Sequence, residues 1–108
     1  LWRSNGSDTF APVGPWIETD IDPQQLDVIV RLNGEEFQRV NTRDMLFTFA
    51  EIVSCISQQV TLRPGDLVFS GTAGATSAIK PGDVVEVEIP GIGVLQNPVA
   101  AEYDASAA

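Results

Sequence analysis

Two copies of one short pattern constrain this chain more than any other feature. Arg63-Pro64-Gly65-Asp66-Leu67-Val68 is followed, 17 residues later, by Lys80-Pro81-Gly82-Asp83-Val84-Val85. In each copy proline pre-sets its own φ, and glycine supplies the positive φ that the next turn position needs. The aspartate can then bond back to the turn's own backbone. Each copy therefore reads as a tight turn that delivers a strand. Between them runs Ser70-Gly71-Thr72-Ala73-Gly74-Ala75-Thr76-Ser77-Ala78, a small, polar, glycine-containing loop. Held between two rigid units, such a loop is a place where something could bind.

The rest of the chain supplies further elements. Val28 to Leu32 is rich in β-branched residues, Asn33-Gly34 follows, and Glu36 to Val40 returns. Asn-Gly between two such runs predicts a hairpin, because both residues tolerate positive φ. Asn41 or Thr42 can cap the next element, with Asp44 in its first turn. From there Met45, Phe49, Ile52, Ile56 and Val60 recur at helical spacing, widened by Leu46, Ala50 and Val53. The spacing predicts one amphipathic helix over residues 43 to 59, its apolar face covered by a sheet or a partner. Burying five such side chains would contribute roughly 8 to 15 kcal/mol before entropy is subtracted. Leu67 to Phe69 reads as a short buried strand. In Val84 to Ile89, Val85, Val87 and Ile89 face one way and Glu86 and Glu88 the other, with that second face wet. Pro90-Gly91 turns the chain, Ile92 to Leu95 returns, and Asn97-Pro98-Val99 leaves the sheet. Residues 1 to 16 read as an irregular but ordered segment, since they hold Trp2, Phe10 and Trp16. Residues 100 to 108 read as a flexible tail.

At 108 residues this is one domain at most. Fifteen acidic residues against 6 basic ones give a formal charge of -9. That balance argues against a nucleic-acid partner and against an anionic membrane surface. Histidine is absent, which removes the commonest general base and nitrogen ligand. The single cysteine, Cys55, allows no disulfide framework and reads as a small core residue. No apolar run is long enough to span a bilayer. The start has no signal-peptide pattern and no methionine, so Leu1-Trp2-Arg3 reads as a cut into the middle of something.

Catalysis needs a charge or nucleophile placed against a substrate. Asp8 either ligates a metal, orients a base or makes an Asx turn in its glycine loop. Thr9 offers a hydroxyl that could hold a metal-bound water. Arg3 either pairs with a carboxylate or is solvated. Asn41-Thr42-Arg43-Asp44 reads as a helix cap rather than as a site. Ser70, Thr72, Thr76 and Ser77 offer hydroxyls, and Gly71 and Gly74 expose backbone donors. Such a loop can grip a carboxylate or a developing oxyanion. It lacks the Gly-Lys-Ser/Thr of a nucleotide phosphate loop and the flanking pattern of a nucleophile elbow. The acidic residues form no convincing metal set.

Taken together, several blocks resemble the carboxy-terminal portion of the fumarylacetoacetate hydrolase family. They begin with Asp8-Thr9-Phe10-Ala11-Pro12-Val13-Gly14-Pro15-Trp16-Ile17 and Val30-Arg31-Leu32-Asn33-Gly34-Glu35. Asn41-Thr42-Arg43-Asp44-Met45-Leu46-Phe47 and Leu62-Arg63-Pro64-Gly65-Asp66 come next. Ser70-Gly71-Thr72, Lys80 to Ile89 and Gly91-Ile92-Gly93 complete the set. The likeness spans residues 1 to 99. It implies an α+β fold, a mixed β-roll with one amphipathic helix, forming the C-terminal part of a catalytic domain.

The resemblance further implies a cytoplasmic, usually homodimeric enzyme of aromatic catabolism that acts on 2-oxo or diketo acids. Hydrolase, lyase, isomerase and hydratase chemistry all occur there, through an enolate stabilised by Mg2+, or by Mn2+ or Ca2+. It places Thr72, with Ser70 and Gly71, at the substrate carboxylate, and Thr9 close to the metal. The metal ligands and the lid would lie in a segment before this chain, so the isolated chain is expected to be inactive. A family lysine three residues before the aspartate of the Asp-Thr-Phe block is replaced by Asn5, which can donate a hydrogen bond but carries no charge. Either the chemistry differs here or Arg3 supplies the charge. Ala73 stands where the family often has proline. The alternative reading is a truncated, non-catalytic paralogue that serves as a structural or binding partner.

Overall fold

The computed structural model describes residues 2–102; the side chains of Trp2 and Arg3 lie outside the description, as does the expected tail from residue 103 on. The chain is α+β. A four-residue helix, α1 (Trp2–Asn5), opens the segment that the sequence predicts to be irregular throughout. Strands β1 (Asp27–Leu32) and β2 (Glu35–Asn41), helix α2 (Phe49–Ser57), and strands β3 (Val84–Ile89) and β4 (Gly93–Pro98) follow. The strands form one antiparallel sheet in the order β2-β1-β3-β4. It is open rather than closed into a barrel.

The β1–β2 hairpin forms at Asn33-Gly34 as predicted, with φ of 53° and 82°. Register breaks once: Val30 pairs with Gln38 and Arg31 with Glu36, which leaves Phe37 as a bulge. Alternation then sorts the side chains. Val28, Val30, Leu32, Val85, Val87 and Ile89 share one face with Gln38 and Val40. Ile29, Arg31, Glu86 and Glu88 share the other. That second face is not simply wet. Arg31 pairs with Glu88 at 2.6 Å across a diagonal, both half-buried. Ile29, 4% exposed, is the one buried apolar side chain among the described residues.

The expected helix over 43 to 59 is two elements. Asn41 caps a single 3-10 turn, Thr42–Asp44, by accepting from Arg43 N at 2.9 Å. Met45 and Thr48 are then extended, and α2 starts afresh. Thr48 and Glu51 form a reciprocal capping box, Glu51 N donating to Thr48 Oγ1 at 3.2 Å and Thr48 N to Glu51 Oε2 at 2.7 Å. That box also holds the Glu51 carboxyl below its ordinary pKa, chiefly through the Thr48 backbone N–H. A second strong start signal inside a continuous apolar stripe thus divides the stripe. Gln24 braces the junction, accepting from Phe49 N at 2.8 Å. Thr42, nearly buried, donates to Pro23 O at 2.7 Å and accepts from Leu26 N at 2.9 Å.

Two further expectations fail, and the sheet cover expected as one choice for the helix does not come from the described residues. No residue of α2 is buried, Cys55 is exposed rather than in a core, and Leu67 to Phe69 is neither buried nor a strand. A strand needs a ladder and an apolar helix face needs a cover, and the described residues supply neither. Leu46 is 89% exposed and Ile17 86%. The accessible surface is 8679 Å², where a compact folded monomer of this size exposes about 5,800 Å². Asn97 and Pro98 stay in β4 instead of leaving the sheet, which edge position permits since proline cannot donate.

Candidate functional site

Both Pro-Gly-Asp units fold as the same turn. Asp66 N donates to Arg63 O at 3.0 Å and Asp83 N to Lys80 O at 3.1 Å. Gly65 and Gly82 each have φ of 94°, the conformation that a type II turn demands of its third residue. Each aspartate carboxylate accepts from the first residue of its turn, Arg63 N at 2.7 Å and Lys80 N at 2.9 Å.

The second turn is also tied to the body. Asp83 is 5% exposed and accepts from Asn33 Nδ2 at 2.9 Å, while Asn33 Oδ1 accepts from Val84 N at 2.9 Å. Gly82 N donates to Val99 O, and Val99 N to Asp83 O. The Asn33 amide, and after it the Lys80 N–H, hold the Asp83 carboxyl below the usual carboxylate range. Asn33 therefore does more than make a hairpin: its side chain fastens the exit of the loop to the sheet.

The loop between the turns lies over the apolar face of the sheet. Thr72, Ala75, Thr76, Ser77 and Ile79 line an open cleft of about 230 Å³ with residues of β1, β2 and β3, the bulged Phe37 among them. Ser70, Gly71 and Thr72 are exposed on the chain as it stands, and Gly71 has φ of 94°. Gln38 Nε2 donates to Ala73 O at the loop's apex. Sequence reasoning passes over Gln38. The available signal is a polar residue opposite Val30, where alternation calls for an apolar one.

The other candidates belong to the N-terminal segment. Asn5 ends α1, and Asp8 and Thr9 lie in an exposed turn closed by Phe10 N donating to Ser7 O at 3.1 Å. Thr9 has φ of 67°, a left-handed conformation that is rare for a β-branched residue. The side chain of Arg3 is outside the description. The chain after Thr9 is anchored at the β4 edge: a methyl group built on Gly93 would lie 3.0 Å from Trp16 Cη2 and 3.2 Å from Pro15 Cγ. Gly14-Pro15 is cis. The loop, in contrast, sits toward β1 and β2. In the Asn41–Asp44 block the Asn41 side chain caps the turn and the Thr42 hydroxyl ties it to the Pro23–Leu26 backbone.

A divalent cation of the hard type takes about six oxygen donors. Among the described residues no three His, Cys, Asp or Glu side chains converge to hold one. This donor set does not fit a metal. Nor is any helix among the described residues long and apolar enough to cross a membrane.

The family profile described as fumarylacetoacetate (FAA) hydrolase C-terminal matches residues 1–100. An uncharacterized protein of Methanocaldococcus jannaschii is 46% identical over 100 residues, covering 93% of this chain and 42% of its own length. The crystal structure of 5-carboxymethyl-2-hydroxymuconate delta-isomerase from Mycobacterium smegmatis superposes with a TM-score of 0.90 at 39% identity, over 94% of this chain and 41% of that one. Maleylpyruvate hydrolase from Sphingobium sp. SYK-6, in complex with manganese(II) and pyruvate, superposes with a TM-score of 0.81 at 34% identity, over 86% of this chain and 36% of that one. The chain spans about two fifths of the length of the curated relatives it matches.

Proposed function

The chain belongs to the fumarylacetoacetate hydrolase family, and on that footing we propose that it supplies the carboxylate-binding part of a 2-oxo acid site. The observation that carries this reading is the loop Ser70–Ala78, fastened at its second turn through Asp83 and Asn33 and presenting hydroxyls and backbone N–H groups. Thr72 is the principal contact, its hydroxyl donating to the substrate carboxylate, with Ser70 and the Gly71 N–H beside it. A short rigid set of neutral donors suits an anion, because the donors need no reorganisation when it arrives.

Residues 1–99 act as the C-terminal part of the catalytic domain, and 100–108 as a tail. In the complete protein the chemistry is that of a metal-dependent enzyme on 2-oxo or diketo acids: carbon–carbon hydrolysis, decarboxylation, isomerisation or hydration. Mg2+ is the expected ion, with Mn2+ or Ca2+ as substitutes, and among the described residues no set of acidic side chains converges to hold it. Asn5 and Thr9 approach the reacting centre from the N-terminal segment. Asn5 donates a hydrogen bond without charge, and Arg3 is the nearby cation in sequence. The left-handed Thr9 is consistent with this role, since such strain recurs at functional sites. The uncovered apolar surface suits a chain that packs against the rest of its own protein and, as a homodimer, against a second copy. The cytoplasm is the expected location.

The test is Thr72→Val in the complete protein. Losing one donor to a bound carboxylate raises KM about tenfold or more with the fold intact. Unchanged kinetics in a folded variant would remove Thr72 from the site.

A further inference from the structure

We infer that Gln38 is a positioning residue for the carboxylate-binding loop. One close approach, seen from two neighbouring loop residues, carries this. Gln38 Nε2 donates to Ala73 O, the residue directly after Thr72. The same amide fills the space over Gly74: a methyl group built there would lie 2.5 Å from Gln38 Nε2 and 2.9 Å from its Cδ. The amide therefore bonds the loop's apex and lies against it. Gly74 also has φ of 82°, so its backbone disfavours a side chain, and one placed there would have to push the Gln38 amide aside.

The placement has a cost that a purely structural residue need not incur. Gln38 projects from β2 onto the sheet's apolar face, opposite Val30 and beside the cleft under the loop. Gln38 is half-buried there, so whatever hydration its amide gives up is offset by a partner within the protein. The partner that Gln38 has is the loop. The second turn fixes where the loop ends, and Gln38 fixes its apex. Between them the Thr72 hydroxyl is held at one height over the sheet. Gln38 touches no substrate in this account; it acts through Thr72, and the inference rests on the proposed role of that residue.

The experiment uses the complete protein with Gln38→Glu, which keeps the shape but replaces the N–H donor by an ionised acceptor facing a carbonyl. Two readouts are compared: the rate at which proteinase K cleaves the native protein within residues 70–78, and the Kd for pyruvate in the presence of Mn2+. Cleavage in the loop is expected to rise about tenfold while β1 and β2 stay uncut, and Kd to rise about tenfold. Gly74→Ala is expected to weaken pyruvate binding more in the parent than in the Gln38→Ala background, where the backbone strain remains but the methyl group no longer meets the amide. Loop cleavage that does not change in Gln38→Glu overturns the inference. So does an unchanged Kd when Thr72→Val raises it. If Thr72→Val itself leaves Kd unchanged, the carboxylate reading falls, and the clamp is judged on loop cleavage and the Gly74 pair alone.

Discussion

The two Pro-Gly-Asp turns share a sequence, a glycine φ of 94° and a carboxylate bonded to the turn's first N–H. Their outcomes differ. After Asp83 the chain enters β3, a central strand; after Asp66 it runs through exposed Leu67, Val68 and Phe69 with no ladder. The turn is a local object, closed by bonds within four residues. The strand is not, because each of its N–H and C=O groups needs a partner from elsewhere. Asp83 has Asn33 across 50 residues and its backbone O has Val99 N; every hydrogen bond of the first turn among the described residues is internal. Identical local sequence thus gives an identical turn, and tertiary partners decide whether a strand comes after it.

Removing the long-range partner is the strongest way to break this contrast. Asn33→Ala deletes both amide bonds and places alanine at φ of 53°. In urea unfolding of the complete protein it should cost about 2 to 3 kcal/mol; a loss below about 0.5 kcal/mol would mean that the tie contributes nothing. Acid sharpens the same comparison. The Asp83 carboxyl titrates below its ordinary value because it accepts from Asn33 and from Lys80 N. Its contribution is therefore full above the unfolded aspartate value of about 3.9 and is lost as pH falls through the lower folded value. The stability gap between parent and Asn33→Ala should hold from neutrality to about pH 4 and narrow below it. A gap that stays constant to pH 2 would contradict a bond to the ionised carboxylate. The smallest effect belongs to the first turn: Asp66→Ala removes one exposed bond and should cost under about 1 kcal/mol in the same unfolding experiment.

Legibility in the sequence divides along the same line. The Asn33-Gly34 hairpin, both Pro-Gly-Asp turns and the alternation in β3 are readable because they are decided within a few residues. The expected helix over 43 to 59 is not the observed one because the apolar stripe runs through a second capping signal, Thr48 with Glu51, and the nearer signal wins. Cys55 and Leu67 to Phe69 read as core on apolar character alone, and the described residues bring no cover to them. At the site, Ser70, Gly71 and Thr72 stand out as hydroxyls and exposed donors between rigid turns. Asn33 and Gln38 do not, since their importance lies in partners 50 and 35 residues away. Asn5 comes into view only through family resemblance; Thr9 is a candidate from its hydroxyl alone, and its left-handed backbone marks the turn as unusual once the structure is known.

One contact is central to all of this. A crystal structure of the complete protein with pyruvate bound should place a carboxylate oxygen about 2.6 to 3.0 Å from Thr72 Oγ1, within reach of the Gly71 N–H, with Gln38 still bonded to Ala73 O. Pyruvate bound with its carboxylate away from residues 70–72 would contradict it.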